Sequence, residues 1–165
     1  MAQTALGGNP VNTSGELPAP GSQVPSFHLT GDDLSSIDNS TFAGKRVVFN
    51  IFPSVDTPTC AKSVRTFNEL AGSLSDTVVL CVSADLPFAQ KRFCGSEGLE
   101  NVRNASSFRT PFGAEFGVTM TDGVLSGLLA RAVVVVDGSG KVLHTELVKE
   151  IAQEPDYDAA IAALS

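Results

Sequence analysis

Three short runs of almost unbroken apolar residues constrain this chain more than anything else in it. They are Val47, Val48, Phe49, Asn50, Ile51 and Phe52; then Val78, Val79, Leu80, Cys81 and Val82, following Thr77; then Ala132 to Val136. Each is too short for a buried helix and rich in β-branched residues, so each reads as a strand covered on both faces. Strands of that kind need a layer of helices above and below. The intervening chain supplies helical spacing. Ala61, Val64, Phe67 and Leu70 mark a helix from Pro58 to Leu70, with Gly72 as its stop. Leu86 to Cys94 reads as a short helix opening near Pro87 and closing at Gly95. A long polar, glycine-containing stretch then leads to Leu128. After the third strand, Asp137-Gly138-Ser139-Gly140 makes a turn and Val142 to Leu147 returns as a fourth strand. The terminal PDYDAAIAALS is a helix starting at Pro155.

Strand, helix, strand, helix, hairpin, helix is an α/β order. A central mixed β-sheet flanked by helices and closed by an antiparallel hairpin is a thioredoxin-like arrangement. At 165 residues the chain is expected to form one domain, residues 1–165. The first 25 residues are rich in Gly, Pro, Asn, Ser and Thr and too poor in large apolar residues to carry a core. They read as a β-hairpin extension turning at Gly7-Gly8-Asn9-Pro10.

A net charge of −7 without a basic cluster argues against nucleic acid, because phosphate contacts need Lys and Arg. No apolar run is long enough for a bilayer, and the N-terminus carries no secretion signal, so no membrane partner is expected. Three cysteines, with no CxxC pair, do not make a secreted disulfide framework. A cytoplasmic protein with reduced thiols is the expectation.

The stretch FPSVDTPTC, residues 52–60, places one of those cysteines in a special position. Pro53 ends the first strand. Thr57 suits a helix N-cap and Pro58 the first helical position. Cys60 then falls in the first turn of a helix, at the carboxyl end of a buried strand. Unsatisfied N–H groups and the positive end of the helix dipole favour a thiolate there, and the thiolate is the nucleophile. A lone cysteine is more often a small buried apolar residue, and Cys81, inside its apolar run, fits that reading. Cys60 has polar flanks and is expected to lie outside the apolar row of Ala61, Val64 and Phe67. Cys94, at a helix end before Gly95, is either a packed thiol or one that swings out by fraying; its spacing leaves both open.

These residues resemble a known family. Pro53-Ser-Val-Asp-Thr57-Pro-Thr-Cys60 has the peroxiredoxin form Pro-x-x-x-Thr-x-x-Cys. The longer NIFPSVDTPTCAKSVRTFNE, the later DLPFAQKRFCG and the GLLARAVVVVD run are similar to the thiol peroxidase group, the atypical two-cysteine peroxiredoxins of bacteria. The resemblance covers almost the whole chain. It implies that Cys60 is the peroxidatic cysteine, attacking a hydroperoxide to give a sulfenic acid. It implies that Thr57 and backbone N–H groups near Thr59 and Cys60 donate to the reacting atoms, that Arg131 is a fixed cation near the sulfur, and that Pro53 shields the site. Cys94 would be the resolving cysteine, forming an intrachain disulfide with Cys60 after local unfolding around both. Thioredoxin or a similar dithiol would reduce that disulfide, and a homodimer would be the assembly. Phe52, Phe88 and Phe93 hint at tolerance for organic peroxides.

No cofactor is expected: there is no dinucleotide-binding glycine fingerprint. His28 and His144 are isolated, so no metal site is expected either. A thiol–disulfide oxidoreductase would carry CxxC at the helix start, where Thr57 stands instead. A thioredoxin-like binding or chaperone module with an incidental oxidisable cysteine is the remaining alternative. Lys91, Arg92 and Glu97 read as a solvated helix face.

Overall fold

A computed structural model describes residues 2–165. Near the N-terminus, β1 (Gln3–Leu6) and β2 (Asn9–Asn12) form an antiparallel hairpin. Its turn is tighter than the sequence suggests. Gly7 and Gly8 alone make it, at φ 59° and 82°, while Asn9 and Pro10 already belong to β2. Two consecutive positive φ values require residues without a Cβ penalty, and they give the twist that a two-residue hairpin loop needs.

The other strands are β3 (His28–Gly31), β4 (Ser36–Asp38), β5 (Arg46–Ile51), β6 (Thr77–Ser83), β7 (Arg103–Ser106), β8 (Ala132–Val136) and β9 (Val142–Leu147). They form one sheet in the order β4-β3-β7-β6-β5-β8-β9. β5, β6 and β7 are parallel; β3, β8 and β9 pair antiparallel with their neighbours. The helices are α1 (Pro58–Ala71), α2 (Pro87–Glu97), the single turn α3 (Phe112–Glu115) and α4 (Tyr157–Ala162).

Alternation along the central strands sends side chains into two cores. Val47, Phe49 and Ile51 of β5 join Val134 and Val136 of β8 and meet Phe27, Phe112 and Phe116 on one face. Phe27 and Phe49 pack edge to face with centroids 5.2 Å apart. Val48 and Phe52 join Val79, Cys81, Val133 and Val135 on the other face, under Val64 and Phe67 of α1, Cys94 of α2 and Ala160 of α4. Fully burying a Val or Phe contributes about 1.5–3 kcal/mol each, so this layer holds α1 firmly. α2 is held less firmly, since only Pro87, Gln90 and Cys94 of its 11 residues are buried.

Strands β3, β4 and β7 lie in stretches with no apolar run. α2 also continues past its expected end, through Gly95 to Glu97, and closes on Gly98 at φ 67°. Gly95 is accommodated inside the helix, so Cys94 sits a turn before the end.

The register explains why the site forms where it does. Ile51 pairs with Val82 in parallel and with Ala132 antiparallel. The chain leaving β5, the chain leaving β6 and the chain entering β8 therefore meet at one end of the sheet. Those segments carry Pro53 to Cys60, Ser83 to Asp85, and Arg131.

Candidate active site

Cys60 occupies the third position of α1 and is fully buried. The sequence expectation that it avoids the apolar row is corrected here: residues 60, 64 and 67 lie one above another on the inward face, and Cys60 packs with Val64 and Phe67. What separates it from an ordinary core thiol is its partner. Arg131, only 1% exposed, donates from Nη2 to the Cys60 sulfur at 3.2 Å. Its Nε donates to the Ile151 carbonyl at 2.8 Å, and its Nη1 has no partner. Among the described residues no carboxylate forms an ion pair with it. A buried guanidinium without a counter-ion is costly unless an anion completes it. The Glu154 carboxylate feels its charge without touching it; the group in direct contact is the Cys60 sulfur.

Three further bonds fix the sulfur's backbone. Ser63 Oγ donates to the Cys60 carbonyl at 2.8 Å, and Asn50 Nδ2 donates to Ser63 Oγ at 3.2 Å. Asn50 is the one polar residue inside the first apolar run, and that interruption was the visible sign of a buried polar role. Ala61 N donates to the Thr57 carbonyl at 2.9 Å, beginning the helix.

Thr57 stands at the N-cap position, but its side chain caps nothing. Its hydroxyl donates instead to the Ser54 carbonyl at 3.1 Å, and the residue is exposed. Pro53 is buried and Thr59 Oγ1 donates to the Ala152 carbonyl at 3.2 Å. Pro53, Thr57 and Arg131 line one pocket of about 330 Å³ whose remaining wall is mainly Leu6, Leu125, Leu128 and Ile151. None of Phe52, Phe88 and Phe93 lines it: Phe52 is wholly buried in the core and Phe88 is exposed. Leu6 comes from the hairpin. The hairpin is tied to the site through Ile151 N on the Ala5 carbonyl at 2.8 Å and Gly8 N on Glu150 Oε1 at 2.8 Å. Backbone N–H groups of Gly8 and Ala152 hold the Glu150 carboxyl below the usual carboxylate range.

Cys94, on α2, is 8% exposed, and Asn104 Nδ2 donates to its sulfur at 3.0 Å. Burial pushes its thiol up, with the Asn104 bond opposing. Cys81 is fully buried in β6, and burial pushes its thiol up to about 12. All three cysteines are free. Arg65 bonds to Glu97 on the outer surface of the helices, while Lys91 and Arg92 are exposed.

The Redoxin family pattern matches residues 19–161. The chain belongs to the Redoxin family. Within it, the thiol peroxidase of Mycobacterium tuberculosis is 63% identical over 164 residues, 99% of each chain. The thiol peroxidase of Corynebacterium glutamicum is 54% identical over the full length of both. Among solved structures, a peroxiredoxin-like protein from Aquifex aeolicus superposes with a TM-score of 0.93 at 38% identity, covering 98% of this chain and 95% of that one. The likeness to the thiol peroxidases extends beyond the Redoxin match to take in the hairpin. This redoxin is an oxidoreductase with thiol peroxidase function. Its sheet and helices are the thioredoxin-like fold of the family.

Proposed function

We propose that Cys60 is the residue that attacks the peroxide. The observation that carries this is the 3.2 Å contact between Arg131 Nη2 and the Cys60 sulfur, made by a guanidinium that is buried, lacks a carboxylate and keeps Nη1 free. A donor fixed on the sulfur interacts most strongly with its anionic form. The free N–H is available to oxygen that gains negative charge in the transition state. In the first step the Cys60 thiolate takes the terminal oxygen of ROOH. The O–O bond breaks, the sulfur is oxidised to the sulfenic acid, and the leaving RO⁻ takes a proton to become an alcohol or water. Thr57 Oγ1, at the pocket wall with its own proton on the Ser54 carbonyl, accepts the O–H of the entering peroxide, and Pro53 closes the sulfur off from bulk water. Leu6, Leu125, Leu128 and Ile151 favour hydroperoxides with an apolar chain over hydrogen peroxide, although both react.

Cys94 is the resolving residue. Its thiol displaces hydroxide from the Cys60 sulfenic acid, forming the disulfide and releasing water. Both sulfurs are buried and each is bound by a different donor, so the segments around them must open first. A small dithiol protein such as thioredoxin then reduces the bond. The 165 residues act as one unit, hairpin included. The unit works in the cytoplasm and pairs as a homodimer through the exposed Leu86 and Phe88 beside the site.

The test is rapid mixing of the reduced protein with cumene hydroperoxide, followed by peptide mapping. Thiol loss orders of magnitude faster than for a free thiol, ending in a Cys60–Cys94 bond, is expected. Loss at the rate of a free thiol would overturn the assignment, and a Cys60–Cys81 bond would overturn the role given to Cys94.

A further inference from the structure

A continuous chain of hydrogen bonds runs from one proposed cysteine's helix to the loop before the other. It starts at the Cys94 sulfur, which accepts from Asn104 Nδ2. The same nitrogen reaches the Gln90 carbonyl at 3.4 Å. Gln90 Nε2 donates to Ser83 Oγ at 3.1 Å and to the Ala105 carbonyl at 3.0 Å. Ser83 Oγ donates to Asp85 Oδ2 at 2.6 Å. Asp85 Oδ2 also accepts from the Val55 backbone N–H at 2.9 Å, and Asp85 Oδ1 accepts from Ser54 Oγ at 2.7 Å. Ser54 in turn supplies the carbonyl that holds Thr57. Gln90 and Asn104 are 1% and 4% exposed, so this chain takes the place of apolar contacts beneath α2. The carboxylate is its hub. Three donors from two different segments converge on it; the 3.9 Å Arg92–Asp56 pair, which also joins the loop to α2, lies on the exposed surface where an ion pair is worth little.

We propose that Asp85 is a positioning residue that latches the Cys60 loop to α2, so that the two cysteines are released together. This rests on the roles proposed above for Cys60 and Cys94. With the latch closed, Val55 and Ser54 are held, Thr57 is held through Ser54, and the pocket keeps the shape in which peroxide meets the sulfur. With the latch open, Val55 N–H and Ser83 Oγ lose a charged acceptor at one stroke. The loop and the weakly buried α2 then move as a pair. Asp85 thereby sets the balance between the first step, which needs the closed form, and disulfide closure, which needs the open one.

Asp85→Ala removes all three acceptor contacts, and Ser54→Ala removes only the hydroxyl on the loop side. Rapid mixing with cumene hydroperoxide, with acid-quenched samples weighed by mass spectrometry, separates Cys60 oxidation from disulfide closure. Losing charged hydrogen bonds should slow oxidation about tenfold and speed closure about tenfold in Asp85→Ala, with smaller changes of the same signs in Ser54→Ala. Two rates that fall together, or neither moving, would overturn the latch. Ser54→Ala decides the matter if Asp85→Ala loses cooperative unfolding. Amide hydrogen exchange on the reduced proteins is independent of peroxide chemistry. Protection should fall in step at Val55 and across residues 89–94; a fall confined to the loop overturns the coupling. If wild-type Cys60 does not react with peroxide, the roles of the cysteines fail, and exchange alone judges the latch.

Discussion

On the proposed mechanism, Arg131 serves reaction at the expense of stability. It is fully enclosed, bonded to a carbonyl and a sulfur, and left with an unpartnered Nη1. Replacing a buried charge by an apolar side chain of similar length is often neutral or stabilising. Removing a fixed donor from a reaction centre costs about 10²–10³ in rate. Arg131→Met should therefore keep or raise the thermal midpoint while peroxide-driven loss of the Cys60 thiol slows about 10²-fold; calorimetry and rapid mixing on the same preparation check both. Cys81 makes a second residue-level prediction. Burial favours its neutral thiol, so its folded pKa of about 12 lies above the unfolded 9.0. The stability it contributes is complete below pH 9 and is lost as pH rises toward 12. Unfolding free energy should then fall by about 1.4 kcal/mol per pH unit more steeply in wild type than in Cys81→Ala across that window. Urea titrations of the reduced proteins at successive alkaline pH values measure the difference.

At the scale of elements, the hairpin contributes more than cover. It brings Leu6 to the pocket wall and its Ala5 carbonyl to Ile151, whose own carbonyl receives Arg131. Leu6→Ser should lower the rate with cumene hydroperoxide about tenfold, the equivalent of one lost apolar contact, and leave that with hydrogen peroxide nearly unchanged. Equal losses with both peroxides would place Leu6 outside substrate recognition. The elements also differ in how much of them the sequence displays. The strands β5, β6 and β8 and the helix α1 are legible because burial on both faces writes a long apolar run, and burial on one side writes a helical period. β7 is not: Arg103 is exposed, and of the three inward residues Asn104 and Ser106 are polar, bonded to the Gln90 and Asp85 carbonyls, so that only Ala105 adds to the apolar core. β3 and β4 are four and three residues long, too short for any period to show. Cys60 is legible from its place at a helix start after an apolar run, and Arg131 through the resemblance carried by GLLARAVVVVD. Asp85 and Ser54 are not, because they meet only through the parallel register of β5 and β6, and Ser63 is not, because its tie to Asn50 depends on how α1 packs on β5.

For the molecule as a whole, exposed apolar groups sit close in sequence at the start of α2, where Leu86 is 52% and Phe88 66% exposed. Two exposed apolar side chains this close together supply the pairing face proposed above. On the proposed homodimer, Phe88→Glu should shift sedimentation from dimer to monomer; an unchanged coefficient would put the proposed pairing face elsewhere. The burial of all three thiols within one fold has another consequence. Bulky alkylating reagents will meet a folded surface in which Cys60 and Cys81 are wholly covered and Cys94 is 8% exposed, while, on the proposed mechanism, a peroxide reaches the pocket beside Arg131. Labelling surveys that rank cysteines by how fast such reagents capture them will rank this chain low, and the residue proposed to react with peroxide will be absent from their tables.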